Sequence, residues 1–160
     1  MRNKLLNPLV LFLLGLLAGG LARWLDLYTQ NLGDVFSRMA VWILIGTVIA
    51  IYSRTPKKAA VNTLTFCLGM LAAYYTAAVL THGVYGRSFI IGWTLFALCT
   101  PVLAGLTWMT KQKGLIPRLI SVGIVGVSVL SSLLLFDGWD ISDLLIDGCL
   151  IYFLFLAEVK

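Results

Sequence analysis

The sequence predicts an all-α, polytopic transmembrane helix bundle of six spans, with the amino and carboxyl termini both cytoplasmic. Three observations predict it. Sixty per cent of the 160 residues are apolar and only 12 per cent charged, against roughly half and about a quarter in soluble domains. The apolar residues fall in continuous runs near the length of about 20 that a helix needs to cross the hydrocarbon. The basic residues lie in short clusters between alternate runs, as membrane orientation requires. Helices are preferred to a barrel because these runs are continuously apolar, whereas barrel strands alternate over about ten residues.

The runs are 8–28, 35–52, 59–80, 88–109, 115–136 and 141–159, and one transmembrane domain accounts for 1–160. In the first, Arg2 and Lys4 followed by an apolar stretch imitate a secretory signal peptide. The small residues near 18–22 lead into another helix-like stretch instead of a soluble mature domain, which favours a retained span. The fourth run carries Pro101 after Thr100, so a kink and a released carbonyl are expected there. The sixth carries Asp143 and Asp147 near its start, and a five-span count without it is the alternative.

Nine cations (Arg2, Lys4, Arg54, Lys57, Lys58, Lys111, Lys113, Arg118 and Lys160) fall on one side of a six-span chain. The other side receives Asp26, Asp34, Asp137, Asp140, Asp143 and Asp147, with Arg23, Arg38 and Arg87 as its cations. The positive-inside rule makes the first side cytoplasmic. A bacterial cytoplasmic membrane is the expected location, and nucleic acid is not an expected partner because the cations share no single exposed face. Trp24, Tyr28, Tyr85 and Trp139 at outer ends, with Tyr52 and Trp108 at inner ones, suit the preference of amphipathic rings for the interface.

Helices associate in lipid through close approach of small residues. Gly15 and Gly19 in the first run and Gly69, Ala73 and Ala77 in the third supply ridges at spacing four, and the fifth carries Ser121, Ser128 and Ser132 beside Gly123 and Gly126. These are the expected seams of the bundle, and the first-run ridge is also a candidate for docking another membrane subunit.

Charges inside spans are costly and mark functional candidates. Arg23 and Asp26 share a face of the first helix, Asp34 and Arg38 stand four apart at the start of the second, and Asp140, Asp143 and Asp147 form one stripe on the sixth. Arg23 and Arg38 are the expected partners of that stripe, about a turn inside their helix ends. Two arrangements fit: a structural network tying helices one, two and six, or an outward-facing pocket for a small polar or cationic solute that also recruits Tyr74, Tyr75, His82 and Arg87. Proton or ion coupling through Asp147 is a third. No enzyme chemistry, metal site or cofactor is expected, since Cys67, Cys99 and Cys149 are scattered and His82 is the one histidine.

The stretch from Gly15 to Arg23, Trp42, and Tyr74-Tyr75-Thr76-Ala77 resemble an uncharacterised family of small bacterial polytopic membrane proteins. That resemblance implies no activity and carries no site residues. In topology alone, six helices with both ends inside and a polar outer mouth are similar to the solute-binding subunits of energy-coupling-factor vitamin transporters. A solute-recognition or transport component is therefore the first functional expectation, and a non-catalytic accessory or scaffold subunit the second.

Overall fold

The structure, a computed structural model, describes residues 6–29, 34–36, 38–81, 87–135 and 140–157, with the side chains of 87, 89 and 135 excepted. It is all-helical over those residues: α1 (Pro8–Tyr28), α2 (Met39–Tyr52), α3 (Pro56–Leu80), α4 (Arg87–Met109), α5 (Leu115–Leu135) and α6 (Ile141–Ile151), which runs into a π-helical turn, Tyr152–Leu156. Four of these, in α1, α3, α4 and α5, are long and apolar enough to cross a membrane.

Local chemistry sets the helix starts. α1 and α3 open alike, with Asn7 before Pro8 and Thr55 before Pro56. Each cap side chain accepts an amide hydrogen bond, from Leu9 at 3.2 Å and from Lys58 at 3.2 Å, and proline at the first helical position loses nothing because its missing donor would have no partner there. The turn into α5 depends on Gly114 at φ +145°, a conformation that side-chain-bearing residues rarely adopt.

The expected second span, 35–52, is interrupted. A helical turn at 34–36 precedes Arg38, whose backbone is extended (φ −78°, ψ 144°), and α2 starts only at Met39. Arg38 is therefore a helix cap and does not sit a turn inside the helix. The expected sixth span, 141–159, is α-helical for 11 residues only and finishes in the π turn. At about 1.5 Å per residue, the 14 residues of α2 reach about 21 Å, short of the roughly 30 Å hydrocarbon layer.

The side-chain distribution is the reverse of that in a water-soluble bundle. Leu9, Leu13, Leu17, Leu95, Val102, Leu119 and Leu134 are exposed, while Thr47, Asn62, Thr100, Ser121, Ser128, Asp143 and Asp147 are buried. Such an exterior needs lipid around it, and the protein is an integral membrane protein. α2 is sheathed by α3, α4, α5 and α6 and has no exposed residue along its length.

Interhelical contacts give the directions. Leu6 meets Asn62, Gly15 meets Phe66 and Met70, and Asp26 meets Tyr74, so α1 and α3 run parallel. Arg38 meets Asp140 and Asp143, and Tyr52 meets Phe153, so α2 and α6 run parallel, and the ends of α2 and α4 coincide at Ser53 and Trp108. One end of the bundle thus carries Arg23, Asp26, Arg38, Asp140 and Asp143, and the other Ser53, Asn62, Trp108 and Lys111.

The α1–α3 seam shows what the small residues do. A methyl group on Gly15 would strike the Phe66 carbonyl, on Gly19 the Met70 carbonyl, and on Gly69 the Phe12 carbonyl. The backbones touch because no Cβ intervenes, and dispersion is collected where lipid offers no hydrophobic gain. Ala73 and Ala77 are half-buried farther along α3. Gly123 and Gly126 do not make a second such seam: a methyl on either would meet nothing within 4 Å. In the α5 interior, the serines pack instead. At Pro101, α4 stays helical, and the Ala97 carbonyl released by the missing N–H accepts the Thr100 hydroxyl at 2.7 Å. The kink position is repaired by its own neighbour.

Candidate functional site

The polar residues expected to form one cluster form two networks at the same end of the bundle. The first joins α1 to α3. Tyr74 donates its hydroxyl to Asp26 Oδ2 at 2.7 Å, and Arg23 reaches the same oxygen at 3.4 Å. The Arg23 guanidinium also donates to Thr81 Oγ1 at 3.1 and 3.3 Å and lies 6.0 Å from the Tyr74 ring centroid. Tyr75 stacks edge-on against Tyr74 with ring centroids 5.5 Å apart and packs on the core around Trp42. Arg23 is thus engaged on its own helix and on α3, and is not the partner of the α6 aspartates that its depth suggested.

The second network joins the entry of α2 to α6. Arg38 Nη1 donates to Asp143 Oδ2, and Nη2 lies 3.8 Å from Asp140 Oδ2. Asp140 caps α6 by accepting from the Ile141 amide at 3.0 Å, while its own N–H donates to Asp143 Oδ2 at 3.2 Å, completing a capping box. Asp143 consequently has two tasks, closing the helix start and holding the guanidinium, and it is wholly buried. Its second oxygen, Oδ1, has no hydrogen-bond partner among the described residues. One turn deeper, Asp147 is 3 per cent exposed and accepts the Ser128 hydroxyl of α5 at 2.6 Å.

The extended backbone at Arg38 is what brings its side chain to α6. Continuing the helix through that residue would turn the guanidinium with the helix face, whereas the cap conformation lets it reach across. Trp42 steadies the entry by donating its indole N–H to the Phe36 carbonyl at 2.8 Å. Asp34 is exposed in the preceding turn. His82 and Tyr85 lie outside the described residues, as does the Arg87 side chain.

Thr81 and Ser128 are the additions that sequence reasoning missed. Ser128 was legible as part of the serine stripe, but not as the hydrogen-bond donor to Asp147. Thr81 ends an apolar run and gives no signal of its own. The other end of the bundle holds a third polar group that was also missed. Asn62, an amide inside an apolar run, donates to Ser53 Oγ at 3.1 Å and to the Leu6 carbonyl at 3.3 Å.

Electrostatically, the second network is the unusual one. Three carboxylates lie along one side of α6 and one guanidinium touches two of them. Ionisable side chains buried at such a depth are functional candidates by default. Among the described residues no three His, Cys, Asp or Glu side chains are grouped to hold a metal ion.

No curated protein and no solved structure matches the chain. The stretch matched by a family model takes in Arg23, Asp26, Arg38, Tyr74 and Tyr75 and stops short of Asp143 and Asp147: residues 1–142 match the family of unknown function DUF6518, and the chain belongs to that family.

Proposed function

We propose that the protein is a recognition or transport component for a small cationic solute in a bacterial cytoplasmic membrane, crossing it six times with both termini inside. The observation that carries this reading is Asp143: a wholly buried carboxylate held by Arg38 through one oxygen, with the other making no hydrogen bond among the described residues. A charge within a span costs about 2.5 to 3.5 kcal/mol at the helix centre on insertion scales and less near the ends, where Asp143 lies, and a charge retained against such a cost is a functional candidate. Asp147, one turn deeper with Ser128, supplies a second acceptor.

The site is accordingly narrower than the residues first considered. Arg38, Asp143, Asp147 and Ser128 form it, while Arg23, Asp26, Tyr74 and Thr81 latch α1 to α3. Recognition would proceed by exchange: the solute cation takes the place of the Arg38 guanidinium on Asp143, and Asp140, exposed at the rim, receives the displaced arginine. No catalytic step is assigned.

The accessory-subunit reading, with docking through the first helix, has less to stand on. Its ridge of Gly15 and Gly19 is occupied by α3, leaving the leucine-rich face of α1 that lipid also covers. The test is thermal unfolding of the purified full-length protein in detergent, at constant ionic strength, across sodium, potassium, guanidinium, choline and short alkylamines. One class should raise the melting temperature, and Asp147→Asn should remove the response. A flat profile across the panel, with a membrane protein co-purifying, would favour the accessory role.

A further inference from the structure

The Arg38–Asp143 pair is lopsided. Asp143 Oδ2 accepts from Arg38 Nη1 and from the Asp140 amide at 3.2 Å, while Oδ1, on a side chain that is wholly buried, accepts from nothing among the described residues. A guanidinium commonly meets a carboxylate fork to fork, with one N–H on each oxygen. Arg38 does not: its Nη2 lies 3.8 Å from Asp140 Oδ2, so one guanidinium is spread over two carboxylates and completes a fork with neither. Its approach is set by the extended backbone at the α2 cap and not by the plane of the carboxylate. A buried acceptor left without a donor forfeits its solvation. A cation carrying no such tether can use the oxygen that Arg38 leaves unused.

We infer that the solute is a guanidinium or amidinium compound, a planar cation that forks onto both oxygens of Asp143 in the place of Arg38. The inference rests on the cation-recognition reading above and names its substrate class. Arg38 is then a resident occupant of the ligand's own position, keeping the buried carboxylate neutralised until a solute arrives. Exchange leaves the charges matched, because the incoming cation serves Asp143 and the released guanidinium serves Asp140, whose side chain is 60 per cent exposed. The Asp140 amide can stay on Oδ2, since a carboxylate oxygen has room for two hydrogen bonds, so α6 keeps its cap throughout. An ammonium group is a point charge without a parallel pair of donors, and an alkali cation donates no hydrogen bond. Donor shape, and not charge alone, selects the solute.

The experiment is titration calorimetry and thermal unfolding of the full-length protein in detergent, at constant ionic strength, with methylguanidinium, acetamidinium, methylammonium or sodium as chlorides, all well below denaturing concentration. Methylguanidinium and acetamidinium should raise the melting temperature and bind about tenfold more tightly than methylammonium, the factor that one further charge-assisted hydrogen bond contributes. Asp143→Asn should abolish that preference. Arg38→Gln removes the resident competitor and should bind methylguanidinium about tenfold more tightly than the unaltered protein, because no exchange is then needed. Should that variant fail to fold, Arg38→Lys, which keeps the charge without the fork, should show the same tightening in weaker form.

Methylammonium or sodium binding as tightly as methylguanidinium overturns the inference and leaves the cation-recognition reading standing. An unchanged preference in Asp143→Asn does the same, since the solute then sits elsewhere. Rescue of Arg38→Gln by methylguanidinium with the unaltered protein silent also overturns it, making Arg38 a permanent structural partner. Silence of all the proteins toward all four cations overturns both the inference and the reading beneath it.

Discussion

At the scale of single residues, the two charged networks should respond differently to neutralisation. Asp143→Asn removes the buried ion pair with Arg38 and leaves Asp140, 60 per cent exposed, at 3.8 Å. The expected loss is about 3 kcal/mol, the low end for breaking a buried pair because Asp140 stays within reach. Removing both partners in R38Q/D143N should cost clearly less than the sum of the single changes, since no buried charge then faces a missing partner. Thermal unfolding of the four proteins in one detergent measures this coupling, and strict additivity would mean that the pair is not formed. In contrast, Asp26→Asn leaves Tyr74 a carbonyl to bond and Arg23 its Thr81 hydroxyl, so the same assay should show a loss of no more than about 1 kcal/mol for the partly exposed pair.

At the scale of helices, the α1–α3 seam separates neighbouring glycines. Gly19→Ala places a methyl group against the Met70 carbonyl and should destabilise by about 1 to 3 kcal/mol, whereas Gly20→Ala, with nothing within 4 Å, should be neutral or stabilise by up to about 1 kcal/mol through helix propensity. Parallel melting curves for the two variants check this. A second pair tests the repair at Pro101. Thr100→Val should cost about 1 kcal/mol by orphaning the Ala97 carbonyl, and less in a Pro101→Ala background where the helix N–H returns. Much of this was readable beforehand: α1 covers 8–28 as its apolar run predicts, and spacing four picks out Gly15, Gly19 and Gly69. Which helix those glycines meet was not readable, because periodicity assigns a face and leaves the neighbour open. The late start of α2 was illegible for a related reason. Arg38 leaves the helix to reach Asp143, 105 positions away in the chain, and a local pattern holds no record of so distant a partner.

At the scale of the whole molecule, apolar runs and clustered cations disclosed the membrane class, since hydrocarbon constrains every residue of a span alike. They also assigned each charge to one end of the bundle, but not its position around it, which is why Arg23 and Arg38 looked equivalent as partners for α6 and prove to serve separate networks. Such an assignment also leaves the number of crossings to experiment, because α2 and the combined α6 and π turn are short. Engineered cysteines in a background lacking Cys67, Cys99 and Cys149 resolve it with a membrane-impermeant maleimide on intact cells. Asp34→Cys, in an exposed turn at the aspartate end, should be modified directly. Lys57→Cys, at the cationic end, should react only after the membrane is opened. Ala157→Cys distinguishes the counts: with six crossings it follows Lys57→Cys, whereas with five the polypeptide after Asp147 stays outside and it follows Asp34→Cys. Direct labelling at Lys57→Cys in intact cells would invert the bundle. Protection at all three positions would mean that the aspartate end is not open to the exterior, and the proposed solute route would be lost.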